Sequence, residues 1–386
     1  MSLYTYWSGL SFVDIVLLSL FIFAFVVQMF IYLYYYTGIV RHNKRLINNK
    51  IQVMEDQPPI SVIICAKNES ENLANFLPLV LEQDYPNYEV IVVNDGSTDE
   101  SDLVLKNLKE RYSHLYYTYV PEQTQIISRK KLALTIGIKA AKNEILLFTD
   151  ADCRPQSTQW ISAVAAQFTP TTDFVLGYGA YLPNKGFLSR MISYDTLFIA
   201  MQYLGFAFRD KPYMGVGRNL AYRKQVFFAH NGFAGTLHVA SGDDDLFVNM
   251  AANKYNTRII ASANSCTCSI PKTSFADWYH QKERHLTTAP MYNSKSKTRV
   301  LLEPISRTLF YLTLLALIAD MNIISLGVVG LFFLIRYLTQ LLVINITASK
   351  LKERHFYGSI LILDLFLPLI TLFLLIFGQK KSFAWK

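Results

Sequence analysis

Two aspartates one residue apart, Asp150 and Asp152, follow the apolar run Ile145–Phe148 and precede Pro155. Four apolar residues in a row read as a short strand buried on both faces, and the proline prevents a simple continuation. Carboxylates at the carboxyl end of such a strand lie where open α/β sheets bind their ligands. As hard oxygen donors they suit Mg²⁺ or Mn²⁺, and such an ion can hold a diphosphate. Another acid, Asp95, ends a second apolar run and precedes Gly-Ser-Thr-Asp99. It is placed to accept hydrogen bonds from a nucleobase edge or a ribose. Both have plainer readings, a strand ending in solvated acids and a capped turn.

The elements around them favour the chemical reading. Ile60–Ala66, Glu89–Val93, Leu115–Val120 and the run ending at Asp150 have strand patterns, while 71–82, 99–111 and 129–141 have helical ones. Such alternation predicts a parallel sheet covered by helices on both faces. The first strand ends in Lys67-Asn68-Glu69, so polar groups emerge from strands one, two and four on one edge of the sheet. Beyond residue 173 the order is mixed. It holds a strand at Phe174–Ala180, a helix over 187–209, a turn at Gly215-Val-Gly217 and a helix over 245–255. Residues 274–289 carry Phe275, Trp278 and Tyr279 beside Lys282 and Arg284, which suits a helix at a membrane interface or an ordinary surface helix.

Hydrophobic residues make up 52% of the 386, more than a wholly soluble chain needs. The excess lies at residues 12–36 and in segments near 301–319, 323–344 and 359–377, each about the ~20 residues that span a bilayer. The first is too long for a signal-peptide core and lacks a basic leader and a cleavage site, so it reads as a retained anchor. The formal net charge is +8, but much of it flanks these segments: Arg41, Lys44, Arg45 and Lys50, then Lys350, Lys352 and Arg354. Juxtamembrane cations mark cytoplasmic flanks, so the bilayer accounts for the charge better than nucleic acid does. Four spans put both termini outside, in mild conflict with the basic Lys380, Lys381 and Lys386. Arg336 and Asp364 fall inside the last two segments, where antiparallel neighbours could pair them. The four cysteines read as small buried residues of a reducing compartment, since Cys266-x-Cys268 has no second pair to complete a metal site.

From about Pro59 to Arg284 the chain resembles the inverting family 2 glycosyltransferases. The likeness rests on Val-Ile-Ile-Cys-Ala-Lys-Asn-Glu, Val-Val-Asn-Asp-Gly-Ser-Thr-Asp and Leu-Leu-Phe-Thr-Asp-Ala-Asp, in that order. It implies an α/β fold of the GT-A, Rossmann-like kind over 58–290, binding a nucleotide sugar and flanked by transmembrane helices at 12–36 and 301–377. Carried onto these residues, it implies that Ala66 and Glu69 line the nucleoside pocket, that Asp95 contacts uracil, and that Lys130 lies near the nucleotide. Asp150 would face the sugar diphosphate. Asp152 would hold the Mg²⁺ or Mn²⁺ that neutralises the leaving group. Gly217-Arg-Asn219-Leu-Ala-Tyr-Arg223 resembles the segment that shapes the floor of the sugar pocket, which gives Asn219 that place.

Ser241-Gly-Asp243-Asp244-Asp245-Leu resembles the family's acidic motif, which supplies the general base that takes the acceptor's proton. Three consecutive aspartates leave the register open. Pairing Asp243-Asp244 with the family's Glu-Asp makes Asp244 the base, the preferred match, whereas matching the following Asp-Leu makes it Asp243. A helix N-terminus decorated with acids is the plainer reading. Gln281-Lys-Glu-Arg284-His285 resembles Gln-x-x-Arg-Trp, with Gln281 on the donor side and Arg284 assisting the diphosphate. His285 stands where the tryptophan belongs, which puts in doubt the acceptor platform of processive synthases.

The resemblance implies transfer of a sugar from a UDP-sugar, with inversion, to a membrane lipid or glycan acceptor. It implies an integral protein of the bacterial inner membrane with its catalytic domain in the cytoplasm. One span before that domain and about three after it are similar to the layout of ceramide glucosyltransferases, which puts a lipid acceptor first. A processive polysaccharide synthase is the rival enzyme reading. A non-catalytic scaffold is the remaining one, and the retained acidic positions argue against it.

Overall fold

A computed structural model of the chain describes residues 10–48, 51, 54, 56–121, 128–320 and 322–377, so Lys50, Lys380, Lys381 and Lys386 lie outside the described residues. The first element is a continuous 36-residue helical run made of α1 (Phe12–Phe30), a π-helical segment at Ile31–Tyr36, and α2 (Gly38–Ile47). Next come β1 (Ile60–Ala66), α3 (Ser70–Leu81), β2 (Tyr88–Asn94), α4 (Ser101–Arg111), β3 (Leu115–Tyr119), α5 (Arg129–Ala140) and β4 (Ile145–Asp150). These alternate as the hydrophobic pattern predicts. Shorter elements follow: β5 (Cys153–Pro155), α6 (Trp160–Ala165), β6 (Phe174–Leu176), β7 (Gly179–Tyr181), the long α7 (Phe187–Phe208), β8 (Leu220–Arg223) and α8 (Lys224–Ala229). Then come α9 (Asp245–Ala251), β9 (Thr257–Ile259), β10 (Thr267–Ser269) and α10 (Phe275–Leu286). Three apolar helices close the chain: α11 (Ser294–Ala319), α12 (Ile323–Lys350) and α13 (Ser359–Phe377).

The larger sheet has the order β3-β2-β1-β4-β8-β6-β9. Its first four strands are parallel, and β8 runs antiparallel to both neighbours. Winding reverses between β1 and β4, which leaves a crevice at their carboxyl ends, with Cys65 in register with Asp150. Alternate residues of each strand feed opposite cores. Ile60, Val62, Ile64 and Ala66 pack toward α3, α4 and α6, whereas Ile63 and Cys65 pack with Ala133, Leu134 and Ile138 of α5. A smaller sheet, β5-β10-β7, stands beside the crevice.

Two expected elements differ. The strand Phe174–Ala180 divides at Gly177, and its halves join different sheets. The Asn219 side chain occupies the space a Cβ at Gly177 would need, 2.5 Å away, so the chain bends there. The helix expected over 245–255 stops at Ala251, where Asn256 Nδ2 donates to the Ala251 carbonyl (3.2 Å) and turns the chain out.

Three described helices are long and apolar enough to cross a membrane: the Phe12–Ile47 run, α11 and α12; the shorter apolar stretch Ser359–Leu374 joins them. Aromatic contacts such as Phe21 on Phe310 and Phe25 on Phe332, both with ring centroids 4.7 Å apart, hold α1 to α11 and α12. Arg336 and Asp364 do meet, at 2.8 Å, within a buried network larger than the sequence suggested. Asp364 also accepts from Arg307 (3.2 Å), Tyr311 (2.6 Å) and Gln340 (3.0 Å). Arg307 pairs with Glu303, and Arg336 donates to Gln28 of α1 (3.1 Å). The α12–α13 connection docks on the domain that carries the crevice: Tyr178 donates to Glu353 (2.8 Å), and Arg354 to the Asn184 carbonyl (3.2 Å).

Candidate active site

Strand ends β1 and β2 are locked by their own turn residues. Asn68 takes φ 54° and Gly96 φ 64°, conformations that Asn and Gly tolerate. Asp99 accepts from the Ser70 and Ser101 amides (2.9 and 3.0 Å), capping α3 and α4 with one carboxylate. Asp95 lies buried behind this turn. Arg129 donates to its Oδ1 (2.7 Å), while its buried Oδ2 accepts no hydrogen bond among the described residues and has Lys67 at 3.9 Å. A buried oxygen in that state is an open acceptor for an incoming N–H. Ala66 does not reach the cleft, because period-2 alternation turns its methyl into the core with Leu73 and Ile64. Lys67 and Glu69 line the cleft instead.

That cleft has a volume of about 740 Å³ and is walled by both sheets, α7 and α10. Asp150, Asp152, Lys130, Asp243, Asp244, Gln281, Arg284 and His285 all line it. Lys130, on the first turn of α5, stands between the two acidic groups, 3.0 Å from Asp150 and 3.3 Å from Asp243. Burial works against its charge, but Asp150, Asp243 and Asp244 outweigh burial and hold its pKa well above the ordinary lysine range. Burial also opposes ionisation of Asp150, and Lys130 reverses that, so Asp150 titrates below the usual carboxylate range.

Asp152 sits two residues on, accepting from Ser269 (2.9 Å). Burial, then the charge of Asp150, push its pKa up. Two carboxylates repelling one another at a strand end fit a hard divalent cation, which relieves the repulsion. Cys153 Sγ lies within 4.8 Å of the same oxygens, yet burial holds its thiol protonated, and a thiol is a poor donor to such an ion.

The three consecutive aspartates separate by environment. Asp245 accepts from Thr288 (2.5 Å), Tyr292 (2.7 Å) and the Leu246 amide (2.7 Å), so it ties α9 to the segment leading from α10 into α11. Asp244 caps α9 through the Asp245 amide (2.8 Å) and accepts from the Gly217 amide (2.6 Å). Burial and the charges of Asp243 and Asp245 push Asp244 up to about 7. Asp243 faces Lys130.

Asn219 is not on the pocket floor. It is buried, donating to the Tyr178 and Ser265 carbonyls (2.9 and 2.7 Å) and accepting from Trp160 (3.1 Å), so every polar atom of its amide is engaged in holding the two sheets together. Its neighbour Arg218 lines the cleft in its place. Gln281 lines the cleft and donates to Tyr181 (3.1 Å). Asp195 and Lys282 clamp α7 to α10 at 2.5 Å. Arg218 and Asp195 were not singled out in the sequence, where each is one charged residue without a motif position.

Residues 61–231 match the family Glycosyl transferase family 2. The chain carries a family 2 glycosyl transferase domain. Among relatives of that domain, glycosyltransferase AglE of Haloferax volcanii is 34% identical over 133 residues, 33% of this chain and 42% of the relative. Poly-beta-1,6-N-acetyl-D-glucosamine synthase of Staphylococcus epidermidis is 32% identical over 93 residues, 24% of this chain and 21% of the synthase. The chain thus spans less than half the length of these curated relatives. The glycosyl transferase domain and its flanking helices share the GT-A fold of the mannosyltransferase PcManGT from Pyrobaculum calidifontis, solved with GDP-Man and Mn²⁺. That likeness has a TM-score of 0.57 and 18% identity, over 88% of this chain and 98% of the mannosyltransferase.

Proposed function

We propose that the protein transfers a sugar from a UDP-sugar, with inversion, to a lipid or glycan acceptor at the cytoplasmic face of a bacterial inner membrane. The observation that carries this reading is the shared cleft: Asp150 and Asp152 face Asp243 and Asp244 across Lys130, 3.0 Å from one pair and 3.3 Å from the other. A metal pair and a base pair at that spacing fit a donor diphosphate on one side and an acceptor hydroxyl on the other.

Asp152, with Asp150, would hold Mg²⁺ or Mn²⁺, which neutralises charge on the departing diphosphate. Asp95 offers its open Oδ2 to a base N–H, with Lys67 and Glu69 flanking the nucleoside. Arg284, on the cleft face of α10, meets the diphosphate. Asp244 takes the proton of the acceptor hydroxyl as its oxygen bonds to the anomeric carbon and the bond from that carbon to the diphosphate breaks. Inversion follows from this single displacement. Asp244→Asn should retain donor binding and slow transfer by ~10²–10⁴, the worth of a positioned base. If Asp243→Asn shows that loss while Asp244→Asn transfers normally, the base is Asp243.

The Staphylococcus synthase among the relatives supports a second reading, a processive synthase. His285 in the tryptophan position favours single transfer, and product length on a gel separates the two.

A further inference from the structure

Arg218 is a cation held in the cleft with a guanidinium nitrogen, Nη1, that has no partner among the described residues. Its guanidinium lies 4.3 Å over the Tyr181 ring, a stack that fixes its plane. Gln281 holds that ring through the tyrosine hydroxyl (3.1 Å). The Arg218 carbonyl accepts from Thr149 (3.1 Å) and Thr267 (2.9 Å), so backbone and side chain are both fixed. Gly179 leaves the room: a Cβ there would stand 3.0 Å from Arg218 Cβ and 3.3 Å from its Nε. Within this cradle Nη1 is buried and has no hydrogen-bond partner among the described residues.

A buried donor in this state costs free energy unless a ligand satisfies it. The charges of the cleft narrow the choice of ligand. Lys130 is already balanced by Asp150 and Asp243, and Lys282 by Asp195. The acids whose charges reach Arg218 most strongly are Asp152 and Asp150. Those two are the pair that fits a divalent cation, and a bound cation leaves Arg218 without compensation. The balancing charge must therefore arrive with the substrate. A planar guanidinium fork matches phosphate oxygens in charge and geometry.

We infer that Arg218 is a donor-binding residue that contacts the terminal phosphate of the nucleoside diphosphate, the one bearing the sugar. It shares that group with Arg284 of α10, which lines the same cleft. The inference rests on the nucleotide-sugar reading above and assigns a residue that the family motifs leave unassigned. The role of Gln281 then becomes indirect, since it holds the tyrosine on which the guanidinium lies.

Binding of UDP and of UMP to the purified full chain with Mn²⁺, with GDP and GMP run alongside, tests it. Arg218→Gln should weaken the diphosphate by roughly 10–100-fold, the worth of a hydrogen bond to a charged group, and leave the monophosphate unchanged. Unaltered monophosphate binding also shows that the variant is folded. If Arg218→Gln binds neither, Arg218→Lys serves: it keeps the charge, loses the fork, and should lower diphosphate affinity less. An unchanged ratio of diphosphate to monophosphate affinity in the variants overturns the assignment. Wild-type protein that binds none of the four nucleotides sinks the nucleotide-sugar reading itself, and this assignment with it.

Discussion

At the scale of single residues, the site separates acids by what surrounds them rather than by their type. Burial and the charge of Asp150 make ionised Asp152 costly, and a bound cation would reduce that cost, so Asp152→Asn should abolish the Mn²⁺ or Mg²⁺ dependence of donor binding, because an amide is a poorer hard ligand. Calorimetry with and without metal checks this, and unchanged metal dependence would move the ion elsewhere. Asp244 behaves differently, because burial and two neighbouring aspartates raise its pKa to about 7. A base must be ionised to accept a proton, so the transfer rate should rise with pH through about 7 and level off above it. A profile flat from pH 6 to 8 at saturating donor, roughly the window in which such a group changes charge, would remove Asp244 from the proton transfer. Asp243→Asn removes one of the charges that raise Asp244, so if Asp244 is the base the limb should persist but move to lower pH.

At the scale of elements, the alternating strands and helices of residues 60–150 were legible because their apolar periods follow burial directly. The acid pair was legible for the same reason: a buried strand must end somewhere, and β4 ends at Asp150. What the sequence could not show was orientation. Ala66 and Asn219 sit within the right motifs, yet β1 alternation turns one into the core, and three hydrogen bonds bury the other between sheets. Arg218 escaped notice because its meaning depends on Tyr181 and Gly179, far away in sequence. The membrane charges were half legible. Arg336 and Asp364 stood out in apolar segments, whereas Glu303 and Arg307, within the segment near 301–319, were not singled out. The enlarged network changes the expected effect of substitutions. Asp364→Leu strands the Arg336 guanidinium and leaves Arg307 with Glu303 alone, whereas Arg336→Leu leaves Asp364 with Arg307 and Tyr311. The first should therefore be the more damaging, by up to about 3–5 kcal/mol, the cost of breaking a buried pair. Thermal unfolding in detergent checks the order, and equal losses would show that Arg307 contributes nothing to holding Asp364.

At the scale of the whole molecule, the helices fix which parts share a side. The catalytic domain follows α2 and precedes α11, and the α12–α13 connection is bonded to that domain through Glu353 and Arg354. The start of α1 and the α11–α12 turn at Asp320 and Asn322 lie at the other end of the helices. Crossing by α1, α11 and α12 accounts for this arrangement, and on the proposed reading the catalytic side faces the cytoplasm, where nucleotide sugars are made. The four native cysteines are all buried, so introduced cysteines report sidedness with little background. In intact cells, Asp320→Cys should react with a membrane-impermeant maleimide, and Lys350→Cys should react only after the cells are opened. Reaction of both from outside would break the hairpin of α11 and α12. The last helix decides the carboxyl terminus. α13 is apolar along Ser359–Leu374 and begins on the catalytic side, where its start follows the docked connection. If it crosses, a reporter fused after Lys386 reads outside, in spite of the basic residues at Lys380 and Lys381 that favour the cytoplasm. A cytoplasmic signal from that fusion, with Asp320→Cys still labelled from outside, would mean that α13 turns back within the bilayer. Asp364 would then serve to hold a re-entrant helix against Arg336 rather than a fourth span.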